Sequence, residues 1–411
     1  MFKTNVCILG AGPGGAATAL KLSYLGIPNI LIDKSIFPRD KVCGDALSGK
    51  VSVLFDRLDP NIMNRFREIA VPYDVWGIRF VPPNTPPIDL YFPLKSDQIG
   101  IAPGYVSKRM DFDNFLINEV KKRDNITFYE GINIEEINKT LEGFELSDKS
   151  GHFKVSTRML LIANGANSAF TKKYAGIVKE PKHYAGAVRA YYENVTIESN
   201  KNLIELHFID EIVPGYFWIF PLPNNQSNVG LGLRTDVISK RKLNMKKCME
   251  DIISNHPVLS KRFENASRLS EIVGYGLPLG SKKRTISGDH FMLIGDAAYL
   301  VDPMTGEGIG NAIYSGFMAA EQTQKCLESN NFTAKYISDY DERVERVLGK
   351  EMILSYRLQK MLRYPIIVKL LAKIINGNKN LINLMSDMYT DLEKRKQLVN
   401  PVFWIKMLFG K

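Results

Sequence analysis

Cysteine is scarce: four residues in 411, at Cys7, Cys43, Cys248 and Cys326, with none of the close spacings that hold zinc or staple a small disulfide scaffold. A reducing, cytoplasmic setting is therefore expected. The five histidines (His152, His183, His207, His256 and His290) form no group, so no metal site is expected. No Walker-type phosphate loop, no Ser/His/Asp spacing, no internal repeat and no low-complexity tract stands out. Long uncharged runs are few. Residues 4–20 carry Gly10, Gly12, Gly14 and Gly15 and no cleavage site, unlike a secretory leader. Residues 212–233 carry Pro214, Pro221 and Pro223, which a membrane helix would not easily accommodate. No segment is expected to span a bilayer.

Acidic residues are outnumbered, 44 against 54 Lys and Arg, but the excess is local. Residues 357–411 hold 11 basic and three acidic residues, +8 of the chain's +10, and the remainder is nearly neutral. Apolar residues at 45% and charged residues at 24% are ordinary globular values, which excludes disorder, collagen and coiled coil for the whole chain. At about 150 residues per domain the length predicts two to three domains.

Residues 6–9 form an apolar run of buried-strand character, followed at once by Gly10-Ala11-Gly12-Pro13-Gly14-Gly15. Residues 16–25 read as a helix with small residues on its inner face, and residues 30–32 as the next strand, with Asp33 at its end. This is a βαβ unit with the spacing of a dinucleotide-binding fingerprint. Gly10 allows the tight turn, Gly12 lets the backbone approach a pyrophosphate, and Gly15 lets helix and strand pack closely. The phosphates would sit on the positive end of the helix, and Asp33 would accept hydrogen bonds from the ribose hydroxyls. The competing reading is a Gly-rich turn without a ligand.

Further along, residues 76–81 and 88–92 alternate apolar and polar side chains around a Pro-rich turn and predict a hairpin. Residues 111–122 predict an amphipathic helix capped by Asp111. Residues 159–163 predict another buried strand. Between 183 and 280 lie four alternating segments of β type (187–192, 203–208, 217–220 and 229–233) and one helical stretch at 246–254. Residues 291–294 predict a strand and 306–325 a helix after a Gly-rich turn. Beyond Tyr336 the pattern is helical.

A second chemical motif is Gly295-Asp296, followed by Asp302-Pro303-Met304-Thr305-Gly306-Glu307-Gly308-Ile309. A carboxylate there lies at the sheet edge where open α/β sheets bind ligands. Asp296 would take ribityl hydroxyls, and the helix N-terminus that follows would stabilise negative charge on a reduced flavin. Alternatively, Asp296 is a helix cap. In a strand, Tyr216, Trp218 and Phe220 share one face and present a flat apolar wall carrying a hydroxyl and an indole N–H. They fit an ordinary sheet core equally well. Cys43 reads either as a small buried residue or as a neighbour of the reacting groups.

The two glycine motifs together resemble flavoproteins of the p-hydroxybenzoate hydroxylase type. In that superfamily the first motif holds the ADP half of FAD and the late Gly-Asp motif its ribityl and flavin side. Ala163-Asn164-Gly165-Ala166-Asn167-Ser168 is similar to the superfamily's A-D-G-A-x-S segment, with Asn164 in place of the Asp that hydroxylases link to FAD and NADPH. Arg109 sits where the superfamily has an Arg near FAD; a surface Arg is the alternative. Within the superfamily, Pro214-Gly215-Tyr216-Phe217-Trp218-Ile219-Phe220-Pro221 resembles the P-x-x-Y-x-W-x-F-P pattern of geranylgeranyl reductases. Lys41-Val42-Cys43-Gly44 lies where that family places a Cys-Gly beside the flavin, and Glu307 stands where hydroxylases commonly have Gln.

The resemblance runs from residue 2 to about residue 330 and implies an α/β fold. A Rossmann-type FAD-binding domain is expected from residues 1–75, 101–180 and 281–330. A second, mixed or antiparallel β-sheet substrate domain is expected from 76–100 and 181–280, and a C-terminal helical cap from 331–411. It implies FAD contacts at Gly10, Gly12, Gly14, Gly15, Asp33, Lys41, Cys43, Gly44, Arg109, Asp296, Pro303, Gly306, Gly308 and Ile309. Tyr216, Trp218 and Phe220 would meet the substrate, with Cys43, Tyr216 and Trp218 as catalytic candidates. The implied reaction is saturation of carbon–carbon double bonds in a long isoprenoid lipid, with hydride from reduced flavin. The alternatives are an FAD-dependent monooxygenase or halogenase on an apolar substrate, and a non-catalytic lipid-binding flavoprotein. A second dinucleotide fingerprint is absent, so NAD(P)H would dock transiently or another electron donor would serve.

Residues 364–375 place Lys369 and Lys373 on one helical face, and residues 403–409 combine aromatics with positive charge. Such segments either lie on an anionic membrane surface or cap a substrate tunnel. The expected location is cytoplasmic, with peripheral contact to the inner face of the membrane as one reading. No nucleic-acid partner is expected, because no base-reading module accompanies the charge.

Overall fold

Val6, Cys7, Ile8 and Leu9 are all buried, and a continuous apolar run is what a parallel sheet covered on both faces requires. They belong to a strand at Phe2–Leu9 that pairs in parallel with Lys154–Ile162 on one side and Asn29–Ile32 on the other. Val6 stands opposite Met159, and Cys7 opposite Ile30. Phe291–Leu293 and Ile126–Tyr129 extend the parallel pairing outward. Ile134–Lys139, Phe144–Asp148 and Ser287–Gly288 add antiparallel strands and complete an eight-stranded sheet. The structure, a computed structural model, describes residues 1–92, 101–199, 201–376 and 378–388.

Helix Pro13–Tyr24 follows the first strand directly, starting earlier than residue 16 because Pro13 supplies a favourable first helical position. It packs against helix Ile309–Ser329 through small residues: a side chain on Gly316 would meet Thr18 Oγ1 at 2.4 Å and Gly14 O at 2.8 Å. Ile309–Ser329 begins beyond the Gly-rich turn, not at residue 306, because Gly306 takes a positive φ of 71°. Helix Arg109–Lys121 has Lys108 at its N-cap. Asp111 therefore lies inside the first turn, where its charge suits the helix dipole but caps nothing.

A second eight-stranded sheet runs Ser267–Arg268, Tyr184–Glu193, Gln226–Arg234, Tyr216–Leu222, Leu203–His207, Gly77–Val81, Ile88–Tyr91, with Val273–Pro278 also pairing Tyr184–Glu193. The predicted hairpin is Gly77–Val81 with Ile88–Tyr91, and it joins this sheet through the parallel pairing of Gly77–Val81 with Leu203–His207. All other pairings are antiparallel. Alternation divides the sheet's faces. Phe217 and Ile219 pack with Val229, Leu231, Met249 and Ile252 under helix Met245–Asn255. Trp218 and Phe220 pack on the opposite side with Leu206, Phe208 and Val368. Ala46–Leu47, Gly104–Val106 and Tyr73–Val75 form a small third sheet.

After Ala334 the chain is helical through Ala334–Val344, Lys350–Met361, Pro365–Asn376 and Lys379–Met388, as the pattern predicts. The stretch at residues 403–409 lies outside the described residues.

Candidate active site

Gly10, Gly14 and Gly15 of the first glycine turn each have a steric reason. Gly10 adopts a φ of 102°, and a side chain on it would stand 2.5 Å from Ala163 O. A side chain on Gly15 would overlap Gly10 O at 1.8 Å, so this glycine lets helix and turn touch. Gly14 packs beside Ile294 and Ala312. Gly12 differs: its backbone is extended, and the nearest atom to an added side chain is Arg39 Nη2 at 3.8 Å. The space above it is open. Asp33 Oδ2 accepts from Ala11 N–H at 2.6 Å and Oδ1 from Ser35 N–H at 2.8 Å, which fixes the carboxylate over the turn.

That opening belongs to a cavity of about 1660 Å³. It brings together every residue assigned above to cofactor, substrate or catalysis except Gly15, which is buried in packing. At one end lie Gly10, Gly12, Gly14, Asp33 and Arg39. In the middle lie Lys41, Cys43, Gly44, Arg109, Asp296, Pro303, Gly306, Gly308 and Ile309. At the other end lie Tyr216, Trp218 and Phe220, with Ile204, Leu206, Phe208 and, from helix Pro365–Asn376, Val368, Leu371, Ala372 and Ile375.

The cavity suits a dinucleotide with a ring system at its far end. Gly12 leaves room for a pyrophosphate at the N-terminus of Pro13–Tyr24. Arg39 Nη1 is braced 2.7 Å from Asp113 Oδ2, with its guanidinium over the Phe37 ring. Lys41 Nζ lies 3.4 Å from Asp296 Oδ2 and above the Tyr275 ring. Asp296 sits in a short 3-10 turn, Gly295–Ala298, and does not cap the helix. The N-terminus of Ile309–Ser329, with Gly308 at its N-cap, lines the same space. Arg109 is 2% exposed, which overturns the surface alternative: it makes two 2.7 Å hydrogen bonds to the buried Asp113.

The aromatic wall is held from behind. Tyr216, Trp218 and Phe220 follow one another with ring centroids 6.2 and 6.0 Å apart. Trp218 lies across the neighbouring strand, where a side chain on Gly230 would meet its ring at 2.4 Å. A side chain on Gly44 would touch Phe220 at 3.1 Å, so the Cys43-Gly44 backbone presses against the wall. Trp218 Nε1–H donates to Asn228 Oδ1 at 2.9 Å, and the Tyr216 hydroxyl donates to Thr305 O of the glycine turn. Burial pushes the Tyr216 phenol well above its ordinary value, so it stays protonated. Relative to the reductase pattern, Pro214 stands one residue nearer Tyr216.

Three positions in the cavity wall escape pattern reading. Arg39 follows no motif, and only the fold carries it over Gly12. Lys50 reaches Asn311 Oδ1 at 2.7 Å and lies 3.5 Å from Glu351 and 3.8 Å from Glu307, tying helix Lys350–Met361 to the glycine turn. Gln359 of that helix donates to Pro303 O. Asp45 is the third. Its Oδ2 accepts from Tyr191 Oη at 2.7 Å and Asn228 Nδ2 at 2.8 Å, while Asn228 also donates to Cys43 O. Its place directly after Cys43-Gly44 was the available signal.

Among the described residues there is no group of His, Cys, Asp or Glu that could hold a metal ion, and no helix long and apolar enough to cross a membrane. Residues 185–275 match the family model for the geranylgeranyl reductase catalytic domain. A digeranylgeranylglycerophospholipid reductase of Methanococcus vannielii is 30% identical over 345 residues, covering 82% of this chain and 81% of the relative. A menaquinone reductase of Mycobacterium tuberculosis is 26% identical over 403 residues, covering 94% of this chain and 92% of the relative. The crystal structure of a geranylgeranyl bacteriochlorophyll reductase-like protein from Thermoplasma acidophilum superposes with a TM-score of 0.80 at 24% identity, covering 97% of this chain and 99% of that one. At that identity the superposition establishes the fold.

Proposed function

The chain belongs to the geranylgeranyl reductase family and is an FAD-dependent oxidoreductase, and from that premise we propose that it saturates carbon–carbon double bonds in the isoprenoid chain of a lipid. One observation carries the reading. A single cavity begins at an open glycine turn fit for a dinucleotide and ends at a fixed aromatic wall beneath an apolar lid. Reduced FAD, when bound, supplies the hydride equivalent.

The protein's own groups bind, align and exclude water. Gly12, Arg39 and Asp33 would hold the ADP half, and Lys41, Arg109, Asp296 and the turn from Pro303 through Gly306 and Gly308 to Ile309 the ribityl and ring side. Gly14 and Gly15 would serve by packing, and Gly10 by turning the chain. An isoprene unit offers no polar handle, so Tyr216, Trp218 and Phe220 would align it by shape. The hydrogens on Tyr216 Oη and Trp218 Nε1 are already engaged, which favours alignment over proton donation for both. An isolated alkene accepts hydride poorly, so placement and exclusion of water carry much of the work. Lid residues Val368, Leu371, Ala372 and Ile375 close the apolar end.

We read the first sheet and its helices as the cofactor domain, the second sheet as the substrate domain, and the C-terminal helices as the cap. NAD(P)H or another carrier would reduce the cofactor. Pro365–Asn376 is apolar on both sides: Val368 and Ala372 face inward, whereas Ile366 is 75% and Leu370 51% exposed. With Lys369 and Lys373 on the same helix, this outer surface suits peripheral contact with an anionic membrane. Mass spectrometry of lipids from cells with and without the gene tests the reading. Gains of two hydrogens per double bond, present only with the gene, support it; unchanged quinones, polyprenols and isoprenoid phosphates would refute it.

A further inference from the structure

Reduction of one double bond needs a hydride at one carbon and a proton at the other. The proton requires an acid in a water-excluded cavity, and the aromatic wall offers none with a free hydrogen. Asp45 lines the same cavity, is fully buried, and stands directly after the Cys43-Gly44 backbone that touches Phe220. It occupies the left-handed region with a φ of 67°, just before the strand Ala46–Leu47. Its two oxygens differ. Oδ2 accepts from both Tyr191 Oη and Asn228 Nδ2, whereas Oδ1 is buried with no hydrogen-bond partner among the described residues. A buried carboxylate oxygen without a donor is costly, and a proton placed on it lowers that cost by removing the buried charge.

We propose that Asp45 is the proton-holding residue of the site and that Oδ1 delivers the proton taken up by the reduced double bond. This rests on the function proposed above. The O–H bond of Asp45 breaks as the new C–H bond forms; the hydride and its electron pair come from the reduced cofactor, and water reprotonates the carboxylate after turnover. Burial pushes the Asp45 carboxyl up to about 6, against the lowering effects of the Asn228 and Tyr191 hydrogen bonds and the Arg189 and Arg109 charges. Arg189 comes from the strand that carries Tyr191, and Arg109 from the helix behind Cys43, where Asp113 neutralises it. Arg189 in turn reaches Asp40 at 2.5 Å. The acid is thus held between two guanidiniums that are each already paired with a carboxylate.

The test uses the FAD-loaded enzyme, reduced without oxygen and mixed with a geranylgeranyl lipid across pH 5–8 (a window of about one unit or more either side of the Asp45 value). In the wild type the reoxidation rate falls as pH rises through the Asp45 transition. Asp45→Asn keeps the acceptor for Tyr191 and should slow reoxidation by about a hundredfold or more and flatten the profile. Tyr191→Phe removes a hydrogen bond that favours the charged form, so its profile should shift to higher pH. Infrared difference spectra of the wild type should show a protonated-carboxyl C=O stretch that titrates over the same range and vanishes in Asp45→Asn, whether or not any lipid turns over. An unaltered profile in Asp45→Asn, a profile abolished by Cys43→Ser instead, or the absence of that titrating band would overturn the proposal. Failure of every lipid to reoxidise the wild type, with the band intact, would refute the substrate reading and leave Asp45 as a protonated group.

Discussion

Gly12→Ala separates cofactor binding from folding more cleanly than any other change in the turn. Gly12 has φ −68° and ψ −178°, angles an alanine adopts without strain, and the new methyl would have only Arg39 Nη2 near it, at 3.8 Å. The cofactor-free variant should therefore be as stable as the wild type or more so, by about 0.4–1 kcal/mol, because alanine restricts the unfolded chain. The same methyl fills the space left for a pyrophosphate. Losing one charge-assisted hydrogen bond there costs about 1.5–3 kcal/mol, which is about ten- to a hundredfold in affinity. Gly10→Ala is the control with the opposite pattern. Its φ of 102° and a 2.5 Å approach to Ala163 O leave an alanine no acceptable position, and left-handed strain alone costs about 1–3 kcal/mol. Thermal unfolding of the cofactor-free proteins, together with fluorescence titration of FAD, reads both effects. A Gly12→Ala protein that binds FAD as tightly as the wild type would refute the assignment of this turn to the phosphates.

Four further outcomes follow from other regions. Arg262 makes paired hydrogen bonds of 2.5 and 2.9 Å to the buried Glu205, so Arg262→Met should cost about 3–5 kcal/mol in denaturant unfolding by stranding a charge. Although burial alone would raise the Glu205 carboxyl, hydrogen bonds from His207 and Arg262 hold it at about 2 against an ordinary 4.5; its contribution to stability is present above 4.5 and fades as pH falls toward 2, which an acid-unfolding curve of wild type against Glu205→Gln checks. Ala372→Trp, at the lid position facing the cavity, should impair turnover of a geranylgeranyl chain more than of a geranyl chain in a competition assay, and equal impairment would argue against a tunnel there. The pair Ile366→Glu and Leu370→Glu should abolish sedimentation with anionic vesicles and leave the unfolding temperature within about 1–2 °C, since surface changes are worth about 0.5 kcal/mol or less.

Local pattern carried much of the architecture. The βαβ unit is written in a strand–glycine–helix order whose steric content, at Gly10 and Gly15, needs no long-range knowledge. The second sheet was legible because Tyr216–Leu222 and its neighbours alternate strictly enough to separate Phe217 and Ile219 from Trp218 and Phe220. What pattern could not supply was the assembly of distant segments. Asp111 reads as a cap, but the helix starts two residues earlier, at Arg109, whose side chain pairs with Asp113 one turn on. Glycines 306 and 308 read as the opening of a helix, yet the positive φ at Gly306 keeps them outside it. Asp45, Asn228 and Tyr191 come from three separate parts of the chain, and their hydrogen-bonded chain to Trp218 exists only once the sheets meet.

The most direct measurement of the central claim is a single anaerobic turnover. Enzyme with its FAD reduced is mixed with a geranylgeranyl lipid, the flavin absorbance at its long-wavelength band is followed, and the lipid is weighed by mass spectrometry. Return of the oxidised spectrum with a gain of two hydrogens for each bond reduced is the outcome the cavity predicts. Reoxidation that waits for air and leaves the lipid's mass unchanged would contradict it.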